Sequence, residues 1–88
     1  MNATKYQIFL KTVECGSFTK AAADLNFSQS GISHAISSLE EELGVTLLSR
    51  NRGGVTLTGD GRALLPQIQQ LCTEYHRLAQ QAADLRGM

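Results

Sequence analysis

Residues 18–39, FTKAAADLNFSQSGISHAISSL, constrain the fold more than any other stretch, because they make two short helices meet at a tight corner. Ala21, Ala22 and Leu25 recur at helical spacing and present a small-residue face that a second helix can approach closely. Asn26 follows, and asparagine tolerates a left-handed backbone, so it can end the first helix in one step while Phe27 is expected to turn back into the core. Ser28 restarts a helix as its N-cap, a contact typically worth about 1 kcal/mol. From there Ile32, Ala35, Ile36, Leu39 and Leu43 mark a buried side, and Gly44 supplies a left-handed stop for a helix from about Gln29 to Leu43.

The other side of that helix carries Gln29, Ser30, Ser33, His34 and Ser37. Solvated helix faces favour Glu and Lys, whereas His and Ser sacrifice helix propensity and, with Gln, offer hydrogen-bond donors and acceptors. The pattern therefore predicts a helix that reads DNA in preference to a plain polar surface. The acidic run Glu40–Glu42 would be repelled by phosphates, so only the first two turns are expected to enter a groove, as in helix-turn-helix docking.

Upstream, Thr4 is placed to cap a first helix with Tyr6, Phe9, Leu10 and Val13 along one apolar stripe, and Gly16 ends it. Ser17 is placed to cap the second helix or to meet a DNA phosphate. After Gly44 the β-prone runs VTLLSR and VTLT, joined by Asn51-Arg52-Gly53-Gly54, predict a hairpin with both glycines freeing the turn and Arg50 and Arg52 at or near its tip. Arginine on such a projection suits a narrow minor groove or flanking phosphates. Thr58 then caps a last helix with Asp60 near its positive end, while Gly59 and Gly61 weaken its first turn and Pro66 predicts a bend near residues 63–66.

In that helix Leu64, Ile68, Leu71, Tyr75, Leu78, Ala82 and Leu85 alternate by four and three residues, the spacing of a coiled-coil seam. A helix of about 28 residues extends roughly 40 Å, further than so small a domain can cover. Leu64, Leu65 and Ile68 are the residues placed to fold back on the first helix, and the distal half predicts a partner chain.

These residues resemble the N-terminal DNA-binding region of the LysR-type transcriptional regulators. The resemblance runs without a gap from about Lys5 to Gly61, through YQIFLKTVECGSFTKAAADLNFSQSGISHAISSLEEELGVTLLSR and GVTLTGDG. Ser30 stands where the family often has proline, His34 where a basic residue such as arginine is common, and Leu48 where phenylalanine is frequent. The expected fold is mainly α: a winged helix-turn-helix over residues 1–57 with a two-stranded β wing, then a linker and dimerisation helix over residues 58–88. The resemblance implies a bacterial regulator that binds double-stranded DNA as a homodimer on a two-fold related operator. The DNA-binding set is Ser17, Lys20, Ser28, Gln29, Ser30, Ser33, His34, Ser37, Arg50 and Arg52. Gln29 is the leading base reader, through the N6 and N7 edge of adenine; Ser17, Ser28 and Ser37 are assigned to the DNA backbone. Regulators of this family also carry a C-terminal domain that binds a small-molecule effector and assembles tetramers. None of it lies in these 88 residues, and because the exposed seam leads toward where such a domain would continue, an excised domain is expected over a naturally short protein.

The formal net charge is zero, which excludes a chain that coats nucleic acid by bulk charge. Lys5, Lys11, Lys20, Arg50, Arg52 and Arg62 nevertheless fall in or beside the reading module, so local basic patches and a moderate salt dependence are expected. Cys15, Cys72, His34 and His76 lack ligand-pair spacing, so no metal and no cofactor is expected, and the thiols are read as reduced. No apolar run of membrane-spanning length occurs, and a cytoplasmic protein without membrane contact is expected. No nucleophile comes with an arranged base, which argues against an enzyme. The competing class is a protein-interaction module using the same fold, which would show no salt-sensitive affinity for DNA.

Overall fold

A computed structural model describes residues 3–87 as four helices and one hairpin: α1 (Thr4–Cys15), α2 (Phe18–Leu25), α3 (Gln29–Leu43), β1 (Leu48–Asn51), β2 (Gly54–Leu57) and α4 (Gly59–Arg86). Met1, Asn2 and Met88, the outer limits of the two expected segments, lie outside the described residues. Local side chains set most boundaries. The Ser17, Ser28 and Thr58 hydroxyls accept hydrogen bonds from the backbone N–H groups of Lys20, Gly31 and Gly61 at the starts of α2, α3 and α4. Gly16, Asn26 and Gly44 close α1, α2 and α3 in the left-handed conformation. The expected Thr4 cap is not made: Thr4 is the first residue of α1, and Ala3 occupies the N-cap position without a side-chain bond.

Helices α1, α2 and α3 pack pairwise around Ile8, Phe9, Ala22, Ile32, Ile36 and Leu39. Thr12 is fully buried in this core, and its hydroxyl donates to the Ile8 carbonyl one turn back, so no polar atom is orphaned there. Phe27 departs from expectation: it is 46% exposed, because the left-handed Asn26 carries the chain outward at the corner. Leu43 is exposed too, lying at the last turn of α3 where it borders an open groove against α1 and α4.

Residues 45–47 do not join the strand. Instead Leu47 fills the core, and the Glu40 carboxylate accepts from the backbone N–H groups of Leu47 (2.7 Å) and Leu48 (3.2 Å). One of the acidic residues read as a DNA-repelling tail is thus the clasp between α3 and the hairpin. The antiparallel strands pair Leu48 with Leu57 and Asn51 with Gly54, leaving Arg52 and Gly53 as a two-residue turn. Only Gly54 of the two glycines uses a positive φ (128°), while the Asn51 side chain accepts from Gly53 N–H and shapes the turn. A Cβ at Gly54 would lie 2.3 Å from the Gly16 carbonyl oxygen, and that oxygen accepts from Val55 N–H, so the turn end of β2 is pinned to the α1–α2 corner.

Helix α4 runs as one element through Pro66, so any bend there does not interrupt it. Its first turn is pressed against the chain before β1. Gly61 is buried, and a Cβ there would meet the Leu47 carbonyl oxygen at 2.2 Å. Gly61 is therefore a close-approach residue, not the weak point it resembles in sequence. Further along, Ile68 and Cys72 are buried, and Leu64 and Leu65 pack on the core, as the fold-back reading expects. Beyond His76, whose Nε2 lies 3.4 Å from Gln7 Nε2 of α1, the helix projects from the domain, giving a molecule 51 Å in its longest dimension.

Candidate nucleic-acid interface

The first two turns of α3 display Gln29, Ser30, His34 and Ser37 exposed to solvent, with Ser33 half-buried among them. The buried face of Ile32, Ile36 and Leu39 fixes the rotation of the helix, and the Ser28 cap fixes its start. Ser28 and Ser30 hydroxyls lie 3.2 Å apart. Capping uses only the lone pairs of Ser17 and Ser28, so it leaves each hydroxyl its proton to donate, with Ser30 beside Ser28 as one partner.

The basic residues divide into two groups. Lys5 binds Glu42 and Ser38 near the far end of α3, and Lys11 sits beside Glu14 and Asp24, so neither belongs to the reading face. Lys5, first through its hydrogen bond and then through its charge, holds the Glu42 carboxyl below the usual glutamate range. Lys20, Arg50, Arg52 and Arg62 make no ion pair among the described residues, and all four are exposed. Their charge is concentrated on α2, the hairpin and the start of α4.

The Arg50 backbone lies near the hairpin tip, one residue pair short of the turn, but its guanidinium does not stand there. Its side chain folds back, with the guanidinium carbon 4.1 Å from the centroid of the Phe18 ring and Nη2 donating to Ser33 Oγ at 2.6 Å. A readable signal for this exists: alternation along β1 puts Arg50 on the face of buried Leu48. Arg52 alone stands in the turn. Phe18, Gln29, Ser30, Ser33 and Arg50 together line a shallow cleft of about 280 Å³ at the start of α3.

The seam residues also divide. Ile68 is 4% exposed and belongs to the domain's own core, and Leu64, Leu71 and Tyr75 are half-buried. Leu78 and Leu85, each 66% exposed, and exposed Ala82 face solvent. Tyr6, Leu43, Leu64, Ile68 and Leu71 line an apolar groove of about 380 Å³ on the proximal half of α4.

Burial raises the Cys72 thiol above its ordinary value, and partial desolvation with the neighbouring Asp24 does the same for Cys15, so both stay protonated and weakly nucleophilic. Among the described residues no group of His, Cys, Asp and Glu is arranged to hold a metal ion, and no helix is long and apolar enough to cross a membrane.

A corner of two helices, a polar third-helix face and a basic hairpin beside it match one described family. Residues 4–62 fit the model of the bacterial regulatory helix-turn-helix proteins of the lysR family. The chain belongs to the LysR family. It is 40% identical over its whole length to an uncharacterised HTH-type transcriptional regulator, YvbU, of Bacillus subtilis (strain 168), and covers 30% of that protein. Over 81% of its length it is 48% identical to a probable HTH-type transcriptional regulator, LrrA, of Synechococcus elongatus, covering 24% of it. This LysR-family chain thus spans less than a third of the length of these curated relatives. Its fold matches the CbnR DBD in a DNA complex, with a TM-score of 0.86 at 30% identity over 96% of this chain and 97% of that one. It matches the BenM DBD in complex with catB site 1 DNA equally well, at 32% identity over 97% and 96% of the two chains. The mainly helical architecture with its two-stranded wing is that of a winged helix-turn-helix.

Proposed function

We propose that this chain is the DNA-binding region of a bacterial, cytoplasmic transcription regulator. Residues 1–57 form the reading domain and residues 58–88 the dimerising linker helix, which places two copies of α3 on a two-fold related operator. The single observation that carries the reading is the uncharged, hydrogen-bonding face of α3 set beside cations with no carboxylate partner. Family membership and the likeness to two domains solved with DNA support it.

In this reading Gln29 makes a bidentate contact with adenine in the major groove. Ser30, Ser33 and His34 reach base edges or phosphates. Ser17, Lys20, Ser28 and Ser37 position the sugar-phosphate backbone, and Arg52 carries the wing into the neighbouring minor groove. Catalysis has no part in this reading. Leu71, Tyr75, Leu78, Ala82 and Leu85 supply the dimer seam, with Leu64 at its edge; Ile68 supports it from within the domain core. An effector response and tetramer assembly are assigned to the length of the relatives that this chain does not match.

Gln29→Ala should cut discrimination between a selected and a random duplex about tenfold, as loss of one bidentate contact implies. Arg52→Ala should weaken both duplexes alike and lower the salt slope by about 1. Fluorescence anisotropy at several salt concentrations measures both. Equal weakening of both duplexes by Gln29→Ala would refute its assigned role.

A further inference from the structure

The cleft at the start of α3 contains an arginine that no carboxylate neutralises and that three neutral features hold in place. Phe18 offers its ring face to the guanidinium at 4.1 Å, a contact that orients a cation without cancelling its charge. Ser33 receives one of the guanidinium N–H groups at 2.6 Å. The strand beneath Arg50 is fixed as well, through the pairing of Arg50 with Val55 and the bond from Val55 N–H to the Gly16 carbonyl. Wing, α2 and α3 therefore meet at this side chain.

The chemistry at Ser33 is directional. A guanidinium has donors and no acceptor, so Ser33 Oγ must be the acceptor, and its own proton must point elsewhere. The adjacent positive charge strengthens that O–H as a donor and repels other donor groups that approach the oxygen. In the major groove, guanine N7 and O6, adenine N7 and thymine O4 are acceptors, whereas cytosine presents an amino donor.

Resting on the DNA-reading role of α3, we propose that Arg50 is a positioning residue that turns the Ser33 hydroxyl into a committed donor, so that Ser33 selects base edges bearing acceptors and rejects the cytosine amino group. Arg50 thus sets sequence preference through another residue, and Phe18 sets Arg50.

The test uses the full chain and duplexes in which each base pair of its selected half-site is varied singly. Ser33→Ala should flatten preference at one base pair about fivefold to tenfold and leave the others within about twofold. Arg50→Lys keeps the charge but loses the planar, ring-stacked fork, and should flatten preference at the same base pair by a similar factor. The double variant should be no flatter there than Ser33→Ala alone. Phe18→Leu, which leaves Arg50 intact, should reproduce part of the loss and decides the matter if Arg50→Lys does not fold. Uniform weakening at every base pair would mean that Arg50 only contacts phosphate, and would overturn the proposal. So would multiplying effects in the double variant, or a Ser33→Ala variant with unaltered base preference. A wild-type chain that discriminates no duplex sequence would overturn the functional reading itself, a result distinct from unaltered preferences in the variants.

Discussion

Gly59 and Gly61 stand two residues apart in the first turn of α4, and replacing each by alanine should move stability in opposite directions. At Gly59 a new Cβ meets nothing within 4 Å, so helix propensity alone acts and alanine should stabilise by up to about 1 kcal/mol. At Gly61 the new Cβ would lie 2.2 Å from the Leu47 carbonyl oxygen and 3.1 Å from Leu57 Cδ2, so the start of α4 must retreat by more than 1 Å to restore ordinary contact. The same carbonyl accepts from Thr58 N–H at 2.9 Å, and Leu47 is fully buried, so retreat strains a cap and opens the core together. Overpacking of this kind costs about 3 kcal/mol at its upper end, and a propensity gain of about 1 kcal/mol offsets part of it. The net loss of about 2 kcal/mol corresponds to a fall in Tm of roughly 8–16 °C for a domain of this size. Thermal unfolding followed by circular dichroism, at one fixed protein concentration because the proposed dimerisation would raise Tm, measures the difference. A Gly61→Ala protein as stable as Gly59→Ala would refute the close approach.

Two further outcomes follow from the same geometry. The double substitution Leu71→Asp and Leu78→Asp buries charge in the seam and should leave the chain monomeric at micromolar concentration in sedimentation equilibrium; persistence of the dimer would remove the seam from the account. Glu42, whose folded-state value is depressed by Lys5, contributes stability above the ordinary glutamate value of about 4.3, and loses that contribution as pH falls through its lower folded value. Glu42→Gln should therefore show a shallower loss of stability between neutral and acid pH in urea unfolding, and an unchanged pH dependence would contradict the pairing.

What could be read along the chain, and what could not, follows the range of the interactions involved. Ser17, Asn26, Ser28, Gly44 and Thr58 mark helix ends correctly because capping is settled within four residues. The apolar face of α3 is equally legible, since periodicity alone selects Ile32, Ile36 and Leu39, whereas on α1 it selects Phe9 but misses buried Ile8 and Thr12, and Tyr6, Leu10 and Val13 are only half-buried. Misreadings occur where a distant segment decides. Glu40 is a local acidic residue until Leu47 and Leu48 bring their N–H groups to it. Gly61 looks like a flaw until the Leu47 carbonyl is set against it. Arg50 stands near the tip as read, but Phe18 and Ser33, more than fifteen residues away, draw its guanidinium back. Lys5 and Lys11 look available for phosphate until their acidic partners arrive from other elements.

Selection of bound duplexes from a random pool tests the central claim most directly, because one result reports recognition, symmetry and spacing together. The chain, folded and dimeric, should enrich a two-fold related consensus whose half-sites lie about one helical turn, or a multiple of it, apart. Enrichment of no sequence at low ionic strength would contradict the account at its root.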